Sequence, residues 1–299
     1  MPENAWLGTT SLATTASNWS LAAVPVNGDS LVFDGRGNAN DCDFTGFTWT
    51  AKAFPSVKLF PTFFKTVGSS GAPLAPANGI TTLVDRSSGQ GKLWVDCAVT
   101  TATIDRPNLV ADAVNLDSSA LTFLNVVSGS TLLNTGLVFA AAARIATSGP
   151  NAVLTIPSGV TYGDTANLLT CEGGLMLVNA ASATLHVRAG TAILGSGGGT
   201  ATLTRLELSA GRFGWGTTGT ITEAHCRGGT FVPNLPTDFN NPVVIGDLVK
   251  TLTSGYAYDG STIDLSHATN LTVTNGWRPM GTNIRWIFPE GSKITVAMP

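Results

Sequence analysis

The chain has 299 residues, only 12% of them charged, and a formal net charge of −3. That balance holds no basic cluster, so nucleic acid is not an expected partner. No apolar run approaches the ~20 residues of a membrane-spanning helix either. The 34 glycines and 15 prolines, set among many Thr, Ser and Ala, are the composition of a turn-rich all-β protein and not of a helical one.

The chain opens MPENAWLGTT, with neither a basic start nor an apolar stretch, so no secretory signal is expected. Residues 1–80 read as an N-terminal β cap. Pro25-Val26-Asn27-Gly28-Asp29 is a turn signal before a short strand at residues 30–33. Asp41 and Asp43 are spaced to share one face of a strand, yet nothing around them completes a site. Residues 54–64, FPSVKLFPTFF, carry four phenylalanines and two prolines. The prolines exclude a long helix or a central strand. Two readings stand for Phe54, Phe60, Phe63 and Phe64: an apolar plug over the open end of a solenoid, or a docking surface for a partner subunit.

Residues 81–232 carry a repeat. Every fifteenth residue from Leu109 gives Leu109, Leu124, Phe139, Leu154 and Leu169, and two places on the series is Ala111, Val126, Ala141, Ile156 and Cys171. The spacing then loosens to Leu169, Leu185, Leu206 and Ala224. In the turns from Leu124 onward, two places after that second series comes a small residue and then glycine: Gly129, Gly159, Gly174, Gly190, Gly211 and Gly229, with Arg144 the exception. Alternating apolar positions with a recurrent tight corner predict a parallel β-helix, a β-solenoid of 15–21-residue turns. The residue just before each turn start is also apolar: Phe123, Val138, Val153 and Leu168. If these point outward they form a stripe suited to an oligomer interface, and at a corner they point inward. The four cysteines, Cys42, Cys97, Cys171 and Cys226, are far apart and read as core thiols.

Chemistry concentrates on one outward column, Thr170, His186, Glu207 and His225, flanked by Glu172, Arg188 and Arg227. Imidazole and carboxylate are suitable zinc ligands, making His186, Glu207 and His225 the metal candidates. The histidines would stand about 9.6 Å apart, two rungs of a sheet, which argues against a shared ion, so no cofactor is expected. Glu172 and Glu207 would be roughly 11–12 Å apart by the same spacing, beyond the ~5–9.5 Å of a glycosidase carboxylate pair. No Ser-His-Asp set or phosphate-cradling loop is present, and Gly197-Gly198-Gly199 reads as a turn insertion. A non-enzymatic protein is expected.

Residues 233–242, PNLPTDFNNP, are a Pro- and Asn-rich break. Short strand candidates follow to the closing SKITVAMP, so residues 233–299 read as a C-terminal β module.

Trp6, Asn18-Trp19-Ser20, Val24-Pro25 and Gly28-Asp29 together resemble the start of β-helical surface and virion proteins. Val67-Gly68-Ser69-Ser70-Gly71 and Pro73-Leu74 are similar to a family of tailed-bacteriophage structural proteins. The resemblance covers the first quarter of the chain. It implies a virion protein assembled in the host cytoplasm, and within the virion a capsid-decoration protein. Such a subunit would lie on the capsid surface, bind the major capsid protein or other virion subunits, and associate with itself as a homotrimer. A glycan-binding or glycan-cleaving tail fibre or tailspike, and a bacterial surface adhesin, are the alternatives.

Overall fold

The computed structural model describes residues 2–36, 40–107, 113–117, 121–134, 138–139, 143–162, 168–195, 200–233, 250–266 and 271–288, the side chains of Val138 and Tyr162 excepted. Leu109, Ala111, Ala141, the three-glycine run, residues 234–249 and residues 289–299 lie outside them.

The strands alternate buried and outward residues, as in Ala152–Ile156 and Val99–Asp105, so one face of each is apolar and needs a shared interior. Stacking successive coils supplies it. The chain is a parallel β-helix, in which 21 strands of the described residues join one continuous hydrogen-bonded system. A first ladder runs from Glu3–Ala5 through Ser30–Phe33, Phe54–Leu59, Ile80–Asp85 and Val99–Asp105. It continues through Phe123–Leu133, Arg144–Thr147, Leu168–Val178, Ser182–Leu194, Leu203–Leu208 and Thr220–Cys226 to Lys250–Ala257. A second ladder starts at Leu93–Asp96 and Val114–Asp117 and takes the C-terminal halves of the long strands. It then runs through Arg212–Trp215, Thr230–Pro233 and Thr262–Asp264 to Arg285–Ile287. A small parallel pair, Val138–Phe139 with Thr161–Tyr162, forms part of a third side.

This register corrects the fifteen-residue period. Leu124 pairs with Ile145 and Ile145 with Leu169, so two coils of 21 and 24 residues fill the interval that three equal turns were expected to fill. Leu124, Phe139, Leu154 and Leu169 are all buried, but Leu154 belongs to the second ladder and Phe139 to the small pair. Fifteen residues are two-thirds of a coil here, and each step lands on the interior of a different side. The looser series is the true register: Leu169 faces Leu185, Leu185 faces Leu206 and Leu206 faces Ala224. Coil length runs from 16 residues there to 31 between Ala224 and Gly255.

Nor does the ladder break at the expected domain boundaries. Phe54–Leu59 pairs with Ile80–Asp85 up to residue 80 and beyond and with Ser30–Phe33 on its other side, a central strand despite the expectation from its proline, because Pro55 falls between the paired positions. Thr220–Cys226 pairs with Lys250–Ala257 across the Pro/Asn-rich segment. The described parts of residues 1–80 and 233–299 are coils of the same solenoid.

Glycine turns the corner between the two ladders. Gly129, Gly174, Gly190, Gly211 and Gly229 have φ of 87°, 65°, 69°, 73° and 69°, and Gly159 does not share that conformation. A methyl group on Gly190, Gly211 or Gly229 would lie 2.6 Å from the carbonyl oxygen of the corner glycine one coil before it. Such a column admits only glycine, both for its left-handed backbone and for its close stacking. Cys42, Cys171 and Cys226 are buried and all four thiols are free.

Candidate functional site: the charged outer ladder and the sealed end

The outward column forms as the looser spacing predicts. Thr170, His186, Glu207 and His225 occupy successive rungs, and Tyr256 and Arg278 extend the row. Two residues earlier on the same strands, Arg205 faces Glu223. A register shift after Cys171 sets Glu172 opposite Ala189 in the ladder, yet its carboxylate still accepts from Arg188 Nη1 at 2.8 Å.

Glu207 is the centre of this network. Its Oε1 accepts from Arg205 Nε at 2.7 Å, and its Oε2 lies 3.3 Å from Arg227 Nε. Arg205 also reaches Glu223 at 3.9 Å, and Glu223 sits 3.4 Å from His225 Nε2. Burial works to raise the Glu207 carboxyl. The hydrogen bonds and charge of Arg205, joined by Arg227 and His225, outweigh it and hold the group below the ordinary carboxylate range. His186 is lowered, first by burial and then by Arg188 and Arg205, against the pull of Glu207. Glu207 is therefore a fixed anion with both oxygens engaged by guanidinium groups. It is not placed as a general acid, which needs a raised pKa, nor with an oxygen free for an ion between the histidines. Among the described residues, no three His, Cys, Asp or Glu side chains gather as a metal-ligand set.

The aromatic members of the face are also engaged. The His225 ring stacks on Tyr256 at 4.5 Å and 15°. Arg278 lies 5.7 Å from the Tyr256 ring and Arg227 4.6 Å from that of Tyr258. Each contact joins one rung to the next and uses a ring face that a stacking ligand would need.

The proposed apolar stripe does not form. Phe123 and Leu168 lie in one outward row of the first ladder with Arg144 between them, whereas Val153 is on the second ladder beside Leu175. Val138 belongs to the small pair, and its side chain is outside the described residues. The reason is again the two-thirds step, which carries equivalent positions to different sides. The outward apolar residues that do gather are Val153 with Leu175, and Leu132 with Leu177 on either side of Thr155, on the second ladder. All four are half-buried. Coils of 16–24 residues would have revealed this grouping where a fixed fifteen concealed it.

The phenylalanine segment divides in two. Phe54 and Phe63 are buried and cannot dock a partner: Phe54 packs edge-on to Trp49, and Phe63 to Phe33 at 5.4 Å. Phe60 and Phe64 are exposed, with the Lys65 ammonium 5.3 Å from the Phe64 ring. Beneath this region lies a buried ion pair that the sequence reading missed. Arg106 stands 3.6 Å from Asp85 and donates to the carbonyls of Ala113, Gly89 and Gly91. Burial raises the Asp85 carboxyl, and Arg106 and Ser87 partly offset that. The pair ties two coil connections together from within, the one that carries Gly89 and Gly91 and the one that carries Arg106 and Ala113.

The opening motif closes the end of the solenoid. Trp6 and Trp19 are buried edge-to-face at 5.0 Å and form the one antiparallel bridge among the described residues. Trp19 Nε1 donates to Ala13 O, and Trp6 Nε1 to Asn40 O. Asn18 is fully buried. Its oxygen accepts from Thr9 Oγ1 and Thr10 N, and its nitrogen donates to Thr10 Oγ1 and Leu12 O. Ser20 caps the free side of the first strand, its N–H donating to Ala5 O and its hydroxyl accepting from Ala5 N. Asp29 accepts from Val26 N beside Gly28 at φ 88°. Trp6 and the Asn-Trp-Ser triplet thus seal a strand edge that would otherwise offer unpaired backbone groups. Asp41 and Asp43 accept from Thr66 N and Thr45 N, and among the described residues no group of three or more His, Cys, Asp or Glu forms a ligand set around them.

Comparison of the chain with protein families, characterised proteins and solved structures finds no match.

Proposed function

We propose that the chain is a non-enzymatic structural protein of a tailed-phage virion, and within the virion a capsid-decoration subunit that docks on the head lattice as a homotrimer. The observation that carries the non-enzymatic part is the state of the ladder's acids. Glu172, Glu207 and Glu223 each lie against an arginine of the same or a neighbouring rung, an arrangement that stiffens a rod and engages all three carboxylates in ion pairs. The virion part rests on the resemblance of the opening motif. The sealed first coil supports it, because a rod with one finished end suits a subunit that projects from a surface without polymerising.

The test is antibody labelling of the particle that carries the protein, viewed by electron microscopy, with sedimentation of the purified chain. Label on the head and a species of about three times 30.8 kDa are expected at micromolar concentration. Label on the tail, or a monomer at that concentration, overturns the reading. Clearing of host polysaccharide that disappears with Glu207→Gln would overturn its non-enzymatic part.

A further inference from the structure

We draw no further inference here: the strongest candidate, the half-buried apolar patch that Leu132, Val153, Leu175 and Leu177 form on the outer face of the second ladder, is an unpartnered sheet face, and nothing in the structure shows what covers it.

Discussion

Asn18→Ala tests whether the opening motif is an end seal. The side chain makes four hydrogen bonds, at 2.5 and 2.9 Å to its oxygen and at 2.7 and 2.8 Å from its nitrogen, and it is fully buried. At ~1 kcal/mol net for each bond, and more where Thr10 N–H or Leu12 C=O is left unpaired, the loss is about 3–4 kcal/mol. In a solenoid each coil touches only its neighbours, so the loss falls on the first coils and fades along the rod. Hydrogen exchange is the assay that resolves this. Amides of Glu3–Ala5 and Ser30–Phe33 should lose about a few hundredfold in protection, since ~1.4 kcal/mol is tenfold, while Leu203–Leu208 keeps its own. Freed edges should also associate, so sedimentation should show concentration-dependent species absent from the parent. Asn18→Asp keeps the acceptor but loses both donors and buries a charge, and it should rescue nothing at neutral pH. Unchanged protection at Glu3–Ala5 in Asn18→Ala, or equal losses along the whole rod, would refute the reasoning.

Three further outcomes follow from the interior. Gly211→Ala meets both a left-handed φ of 73° and a carbonyl at 2.6 Å, so it should cost at least ~2 kcal/mol in urea denaturation. Gly260→Ala, at φ 82° in open space, should cost only about 1 kcal/mol. Arg106→Met strands the buried Asp85 and should destabilise by about 3–5 kcal/mol at pH 7, with part recovered in Arg106→Met/Asp85→Asn. The Asp85 carboxyl is raised in the fold, so its burial penalty is absent below the unfolded pKa and grows as pH rises; the Arg106→Met deficit should therefore shrink in acid. Lys250 is buried, and burial lowers its amine from 10.5 to about 8. The unfolded chain then binds the extra proton between those values, so stability rises with pH across that window and the full penalty is present below it. Lys250→Met should gain up to about 3 kcal/mol at pH 7, the gain fading from about pH 8 and gone by pH 10.5, as urea midpoints at pH 7 and above that window would show.

What the sequence disclosed, and what it hid, divides along the physics of a coil. Alternation is local, so the inward set from Leu124 to Cys226 was legible, and a parallel β-helix followed from it. Coil length is not local. It is set by how many residues each connection spends at its corners, and coil lengths run from 16 between Leu169 and Leu185 to 31 between Ala224 and Gly255. A fixed period therefore matched the interior of successive sides and misplaced Val153 relative to Phe123. Where the connections were short, from Leu169 to Ala224, the register of His186, Glu207 and His225 came out as the spacing implied. The pairing of Glu207 with Arg205 did not, because it links i and i+2 on one strand across the outer face, a contact that depends on side-chain reach and not on rung spacing. The buried Arg106–Asp85 pair was hidden for a deeper reason. Asp85 ends a strand, Arg106 follows one, and both look like solvated turn charges in the sequence. Only the carbonyls of Gly89, Gly91 and Ala113, which the coiling brings to one guanidinium, make burial of that charge tolerable. The same logic explains the opening motif: Trp6, Asn18, Trp19 and Ser20 look like a recognition signature in one dimension, and in three dimensions they pack along the outer edge of the strand Glu3–Ala5.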